Sequence, residues 1–464
     1  MPGNHDQTIA ALATPPGEAG IAVIRVSGSG ALNILDAVFR NKYGDAHNGE
    51  WKHRRLHHGV IRNPDGEVID EVMCAVMRAP DSYTGEDTVE ISCHGGSVVV
   101  AGVLDVVFAA GARLAEPGEF TKRAFLNGKI DLIQAEAVCD LIHARSDLQR
   151  QVAHAQLEGA LSERINRLAD ELLGVLGEIE GNIDFIEEGI DALDIDAALA
   201  TVRNHQQLLD NLLASAPLSR PFREGYRVVI AGPVNAGKSS LFNKLIGERR
   251  AIVTEIPGTT RDVLREPVLL EKVLFVLQDT AGLRGTDDRV ERIGVSLAES
   301  TADAADVVLF IIDRSETIDG ETTSRLAGLD PARSIVALNK IDLPANVTPD
   351  KLGTTYPDLE IVSLSVKTGD GIAELERALV ERVGRDQLNW IARERVVLNS
   401  RLIATLKAAR KQLAVLEANL TGRAALELLA VDAREVLSHY ETATGRRYTD
   451  DLLDTIFSRF CIGK

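Results

Sequence analysis

The sequence predicts an α/β P-loop domain, built on a doubly wound and mostly parallel sheet, inserted in an all-α helical domain. A separate N-terminal α/β domain precedes them. Three observations carry this expectation. The stretch GPVNAGKSS, Gly232 to Ser240, fits the phosphate-loop spacing G-x-x-x-x-G-K-[ST], with the apolar run YRVVIAG before it and the helix-like LFNKLIGE after it. From about 225 to 387, continuous Val/Ile/Leu runs (VVIAG, VLFVLQDTAG, ADVVLFIID, SIVALNKID, EIVSLS) alternate with helical segments. Such runs mark parallel strands covered on both faces. Proline is absent between Pro117 and Pro217 and again after Pro357, where the chain is amphipathic at helical spacing.

Taken in order, residues 1–127 read as α/β. IAVIRVSG (Ile21 to Gly28) is a strand ending in a Gly-Ser-Gly turn, and DEVMCAVMRAP and DTVEISCHGG are further strands bounded by Pro or Gly. The length and Ala content of VVVAGVLDVVFAAGA favour a helix over a strand. Residues 128–224 are the first helical part; Leu157, Leu161, Ile165, Leu168 and Leu172 recur every three or four positions. The acidic stretch DFIEEGIDALDID reads as a solvated connector, because its carboxylates lack the spacing of a metal-binding loop. SAPLSRPFREG (Ser215 to Gly225) reads as a linker into the nucleotide domain, 225–387, and residues 388–464 return to helix. One helical domain interrupted by an insertion is the simplest arrangement; separate helical caps are the alternative.

The chain of 464 residues is long enough for roughly three domains. A net charge of −18 argues against non-specific coating of nucleic acid, while leaving room for local basic patches that hold one RNA. Cys74, Cys93, Cys139 and Cys461 form no C-x-x-C pair, which points to a reducing compartment and away from a zinc site. No apolar run approaches the ~18 residues needed to span a membrane, and the N-terminus lacks a basic targeting pattern. A cytoplasmic location with no membrane partner is the expectation.

The nucleotide motifs follow in the order that phosphoryl transfer requires. A strand–loop–helix aims backbone N–H groups at phosphate oxygens, across Asn235, Ala236, Gly237, Lys238, Ser239 and Ser240. Lys238 would reach the β/γ-phosphates and Ser239 would bind Mg²⁺. GTTRD (Gly258 to Asp262) lies where a switch loop belongs, with Thr260 as the second hydroxyl on Mg²⁺. DTAG (Asp279, Thr280, Ala281, Gly282) would orient the Mg²⁺ shell and meet the γ-phosphate. NKID places Asn339, Lys340 and Asp342, and an Asp can accept both the ring N1–H and the amine of guanine, so GTP is selected over ATP. SVK (Ser365 to Lys367) stands where S-A-K is usual. Leu283 follows DTAG where a water-orienting Gln can stand, and no arginine finger is identifiable. Asn235 can help hold a monovalent cation in the finger's place. Glu291 can orient water, with a surface helix position as the alternative.

The chain as a whole resembles the tRNA uridine-modification GTPase family, MnmE (TrmE). The resemblance rests on ATPPGEAGIAVIRVSG, DSYTGED, HGG, EPGEFTKRAFLNGKIDLIQAEAV, GPVNAGKSSLFN, TEIPGTTRD, DTAGLR, VERIG and the terminal CIGK, and spans essentially all residues. It implies a K⁺-stimulated GTPase that dimerises through its nucleotide domains, with K⁺ held by Asn235, Thr254, Ile256 and Thr259 and water oriented by Glu291. It extends the GTP site over Thr254, Glu255, Ile256, Pro257, Gly258, Thr259 and Thr260. The N-terminal domain would be a homodimerisation module binding a folate donor, 5,10-methylenetetrahydrofolate (with the 5-formyl form as analogue), through Arg25, Glu90, Lys129 and Lys464. With the flavoprotein partner MnmG (GidA), which carries the FAD and would form a heterotetramer, such proteins add an aminomethyl-type group to C5 of the tRNA wobble uridine. A role for Lys464, the last residue, requires the C-terminal helices to fold back onto the N-terminal domain. Cys461 has a possible chemical role beside that pocket; a small buried hydrophobe is the alternative. GRRY (Gly445 to Tyr448) is either an RNA contact or a solvated turn. A regulatory or ribosome-associated GTPase switch would use the same P-loop and leave Arg25, Glu90 and the tail idle.

Overall fold

The computed structural model describes residues 7–41, 43, 45–46, 50–184, 193–249, 265–279 and 305–464. The chain divides into two compact units. One comprises Met1–Cys139, Leu161–Asp191 and Leu426–Lys464; the other comprises Asp140–Ala160 and Ala192–Ala425.

The first unit is organised on a seven-stranded sheet ordered β3-β4-β5-β6-β2-β1-β7. Its strands are β1 (Ile9–Leu12), β2 (Ala19–Ser27), β3 (Phe39–Asn41), β4 (Leu56–Arg62), β5 (Val68–Met77), β6 (Thr88–Gly95) and β7 (Arg113–Leu114). All neighbours are antiparallel except β1 and β7. Alternation along β2 buries Ile24 and Val26 under helices α1 (Ala31–Val38) and α2 (Ser97–Ala109), within a core that includes Leu35, Ile91, Val103 and Val107. The VVVAGVLDVVFAAGA segment is the expected helix. On the other face of the sheet, Ile9, Ala11 and Ala115 pack with Phe120 of α3 (Glu119–Leu126) and with Tyr83. Arg25 points to that second face by the period-two rule and stands opposite Glu90 in register.

The C-terminal end of the chain closes over this second face. Helix Asp450–Phe457 is capped by Thr449 and tied to α3 by Lys122 Nζ donating to Asp454 Oδ1 at 2.7 Å. At Gly118, φ +67, a Cβ would stand 2.7 Å from Phe457 O, so only glycine permits this approach. Beyond α4 (Leu132–His143), α6 (Ala160–Asp184) buries Leu161, Ile165, Leu168, Leu172 and Ile179 on one stripe, and Arg434 of helix Leu426–Thr444 pairs with Glu180 at 2.6 Å.

The second unit carries a six-stranded sheet ordered β13-β12-β11-β8-β10-β9. The strands are β8 (Tyr226–Ala231), β9 (Arg265–Leu270), β10 (Val273–Asp279), β11 (Val307–Asp313), β12 (Ser334–Asn339) and β13 (Glu360–Ser363). All pairs are parallel except β9 with β10. Every residue of β11 and β12 is buried, as continuous apolar strands covered on both faces demand. Phe275 is fully buried against Tyr226 at the base of this core, a side-chain burial that contributes about 1.5–3 kcal/mol.

Helices on either side of the sheet in sequence pack together. α7 (Ile195–Leu213) meets helix Ser400–Thr421 through Arg203–Glu417 at 2.7 Å and Arg410–Asp210 at 2.9 Å. The long helical pattern around Leu157 and Leu161 is two helices rather than one: α5 (Asp147–Leu157) ends before Gly159, φ +96, and α6 begins after it. The Ser215–Gly225 linker is also a correction. It forms a 3₁₀ turn, Ala216–Leu218, and helix α8 (Ser219–Glu224), because Phe222 has an apolar pocket beside Val152, Ile391 and Val397 to fill. Gln149 Nε2 donates to Phe222 O at 2.5 Å, and Gln156 Nε2 donates to Val397 O at 3.1 Å. One helix, α5, thereby fastens the chain both where it runs into β8 and where it leaves the nucleotide domain.

Candidate functional site

The phosphate loop joins β8 to helix α9 (Lys238–Arg249), so the N-terminus of a helix opens on the loop. The loop is tightly shaped. Gly232 has φ +138, and a Cβ there would stand 2.1 Å from Ile311 O of β11. Gly237 has φ +106, and a Cβ there would stand 2.4 Å from Asn339 Nδ2. Asn235 takes φ 62, a left-handed conformation that asparagine tolerates better than most residues. Lys238 Nζ donates to Gly232 O at 2.9 Å and Pro233 O at 2.6 Å, which holds the ammonium over the loop.

Asn339 ties the two halves of the site together. Its buried side chain donates from Nδ2 to Ala236 O at 2.8 Å and accepts at Oδ1 from Val366 N at 3.1 Å. Val366, the residue that departs from S-A-K, meets Asn339 through its backbone N–H. Ser365 is buried; its Oγ donates to Asp342 Oδ1 at 2.7 Å and accepts from Thr368 N at 3.2 Å. The Ser365 hydroxyl, more than any other group, holds the Asp342 carboxyl below the usual carboxylate range, so Asp342 presents a charged acceptor. The cleft formed here measures about 790 Å³ and is lined by Asn235, Gly237, Lys238, Ser239 and Ser240 at one end and Asn339, Lys340, Asp342 and Lys367 at the other. That volume suits a nucleotide-sized ligand. The donor set at the loop end fits phosphate with Mg²⁺ on Ser239, and the acceptor at the far end fits a guanine edge.

Asp279 ends β10, beside Ile230 of β8 in parallel register. Its side chain lies outside the described residues, as do Thr254, Glu255, Ile256, Pro257, Gly258, Thr259, Thr260, Thr280, Ala281, Gly282 and Glu291.

The first unit brings Arg25, Glu90 and Lys464 of the predicted folate residues together. Arg25 donates from Nε at 3.0 Å and Nη2 at 2.8 Å to Glu90 Oε1, and from Nη1 to Gly463 O at 3.5 Å. The guanidinium lies 5.7 Å from the ring centres of both Tyr83 and Phe120. The tail reaches this point because Gly463, φ +96, lies against β1; a Cβ there would stand 2.1 Å from Leu12 O. Gly118 N donates to Cys461 O at 3.4 Å. Burial pushes the Lys464 ammonium down, the nearby Arg25 adds to that, and Glu90 opposes it. Lys129 Nζ donates to Pro80 O at 2.9 Å. Cys461 is a free, exposed thiol, unlike Cys74, which burial and then Cys93 push up to about 12. In the GRRY turn, Tyr448 sets its ring edge-on to Phe125 at 5.3 Å, and Arg447 donates to Ser438 Oγ at 2.8 Å.

Beneath this face runs a buried charged network that sequence reading missed. Arg123 donates to Glu86 (3.1 and 3.0 Å), to Glu119 Oε1 (3.0 Å) and to Gln7 O (2.7 Å). Arg113 donates to both oxygens of Glu119. Through Arg123 and Glu86 the network ties α3 to the Ser82–Asp87 loop, whose Tyr83 lies against Arg25. The only signal in sequence was the density of charge in EPGEFTKRAF, which reads equally well as a solvated surface.

A family profile for the MnmE helical domain matches residues 132–461, and one for the GTP-binding protein TrmE N-terminus matches residues 8–129. The tRNA modification GTPase MnmE of Geotalea uraniireducens is 44% identical over 462 residues, covering 98% of this chain and 99% of the relative. The chain belongs to the tRNA modification GTPase MnmE family. The MnmE relatives of Natranaerobius thermophilus (41% identical, 99% of this chain and 100% of the relative) and Lactiplantibacillus plantarum (40%, 98% of each) show the same end-to-end coverage. The residues matched by the two MnmE profiles take in the phosphate loop and NKID in one unit and Arg25 and Glu90 in the other. No described helix is long and apolar enough to cross a membrane.

Proposed function

We propose that the chain hydrolyses GTP in the cleft between the phosphate loop and NKID, and that hydrolysis serves modification of tRNA wobble uridine at C5. The observation that carries the nucleotide half is Asn339, bonded at once to Ala236 O and Val366 N, which makes one pocket of the phosphate and base ends. Lys238 would bind phosphate oxygens, Ser239 and Thr260 would hold Mg²⁺, and Asp342 would read guanine. Asp279, Thr280, Ala281 and Gly282 would sense the γ-phosphate. Asn235, Thr254, Ile256 and Thr259 would hold K⁺ in place of an arginine finger, and Glu291 would orient water. Phosphoryl transfer asks of a protein mainly positioning and charge, which these residues supply.

In the other unit, Arg25, Glu90, Lys129 and Lys464 would bind a tetrahydrofolate one-carbon donor. Glu90 offers a carboxylate for a pterin ring N–H and amine; the cations suit the ligand's carboxylates. The exposed Cys461 stands on the tail that reaches this pocket. The domain layout 1–127, 128–224, 225–387 and 388–464, a homodimer, a flavoprotein partner of the MnmG type and a cytoplasmic setting belong to the same reading. GTP turnover of the full chain in K⁺ against Na⁺, together with 5-formyltetrahydrofolate binding, tests it. Equal turnover in both cations removes the K⁺ site. GTP turnover without folate binding favours a plain GTPase switch.

A further inference from the structure

Lys340, the second residue of NKID, stands in the left-handed region at φ 66, a conformation that a lysine keeps only when its surroundings hold it. Its Nζ is bonded to Asp313 Oδ2. Asp313 is the last residue of β11, and the parallel register sets it beside Asn339. Its other oxygen accepts from Ser315 N at 2.9 Å and Ser315 Oγ at 2.7 Å. Asn346 N donates to Arg314 O at 2.9 Å, and Asn346 Nδ2 to Ser315 O at 2.6 Å, so the turn that follows Asp313 is itself held.

An ordinary surface ion pair is the simple alternative, and such pairs contribute little. The geometry is different here. The Asp313 side chain is 6% exposed against 32% for Lys340, and both carboxylate oxygens are engaged. Burial raises the Asp313 carboxyl, but the bonds from Lys340 and Ser315 outweigh it and hold the group charged. Lys340 lines the nucleotide cleft beside Asp342, whereas Asp313 does not. The Asp313 side chain therefore meets the cleft through the lysine.

We infer that Asp313 is a positioning residue for guanine nucleotide: it holds the Lys340 side chain as one wall of the base pocket and keeps its ammonium away from Asp342. The inference rests on the cleft being a guanine-nucleotide site. Lysine has four rotatable side-chain bonds, and an untethered ammonium a few residues from a charged Asp is drawn to it. Paired with Asp342, it would compete with the guanine N1–H and amine for the same oxygens.

The test uses the full chain, fluorescent GDP in stopped flow, and steady-state GTP turnover. Asp313→Asn should raise the GDP Kd and the GTP KM about tenfold, a loss equivalent to about 1.4 kcal/mol, with a much smaller effect on kcat. Asp313→Glu should restore most of the affinity. The double variant with Lys340→Met should be no weaker than Lys340→Met alone, because the two residues act as one device. Lys340→Met leaves the Asp313–Ser315 turn intact and is the independent arm should Asp313→Asn destabilise the fold; it too should weaken GDP. GDP affinity within twofold of wild type in either single variant, or a double variant whose loss is the product of the two, overturns the inference. Wild type that binds no GDP overturns the underlying nucleotide reading instead.

Discussion

Arg25 and Glu90 face each other across β2 and β6, and both of the hydrogen bonds that join them fall on a single carboxylate oxygen, Oε1. The pair is partly exposed, at 15% and 31%. Replacing Glu90 by Gln keeps the shape and removes the charge. Glu90→Gln should weaken 5-formyltetrahydrofolate at least about tenfold, since a charged acceptor is worth roughly twice a neutral one. Calorimetric titration of the full chain measures this. Unchanged affinity would remove Glu90 from the proposed folate pocket.

Gly463 bears on the same pocket from the tail. With φ +96 and Leu12 O only 2.1 Å from a Cβ at that position, Gly463→Ala cannot keep the tail against β1. Folate affinity should fall about tenfold or more, while GTP turnover without folate stays near wild type, because Gly463 belongs to the other compact unit. Folate affinity equal to wild type would show that the tail's position is irrelevant to the pocket.

The Arg113–Glu119–Arg123 network predicts a pH dependence. Burial raises the Glu119 carboxyl, but bonds from Arg113, the Glu116 N–H and Arg123 together hold it below its ordinary value of 4.5. A depressed folded-state pKa gives stability that is fully present above the unfolded value and is lost as pH falls through the lower folded one. Glu119→Gln should therefore cost about 1.5–3 kcal/mol at pH 7, because Arg113 and Arg123 each lose a charged acceptor while Arg123 keeps Glu86, and the gap should narrow below pH about 4.5. Urea unfolding at pH 7 and pH 4 provides the comparison; a gap that stays constant across this range contradicts the assignment.

At the phosphate loop, Gly237→Ala should lower GDP affinity by about a hundredfold or more. A methyl group there needs a rare backbone conformation and pushes into Asn339 Nδ2, 2.4 Å away, which in turn carries Ala236 and Val366. Fluorescent GDP titration decides this, and wild-type affinity would mean that the Asn339 link is not what shapes the pocket.

Much of this was legible in the sequence because it is local. The loop glycines, the continuous apolar strands β11 and β12, and the amphipathic stripe of α6 are each written within a short window. What escaped depends on partners distant in the chain. Strand β9 carries Arg265, Glu266 and Pro267 and is not among the apolar runs expected as strands; β10 supplies its ladder. Helix α8 forms because Phe222 finds Ile391 and Val397. Ser365 was marked by the SVK motif and Asp313 by nothing but the end of an apolar run, yet neither showed its partner: Ser365 bonds Asp342 and Asp313 bonds Lys340, across 23 and 27 positions. The return of the tail to Arg25 was implied by the family resemblance, through the role it gives Lys464, and its physical cause is a glycine against the β1 backbone.

The central claim is that GTP hydrolysis in this cleft serves tRNA wobble-uridine modification. The most direct measurement is mass analysis of tRNA nucleosides from cells lacking the chain, complemented by wild type or by Lys238→Ala. The account predicts that the C5-modified wobble uridine disappears on deletion, returns with wild type and does not return with Lys238→Ala. Modified uridine unchanged on deletion would contradict it.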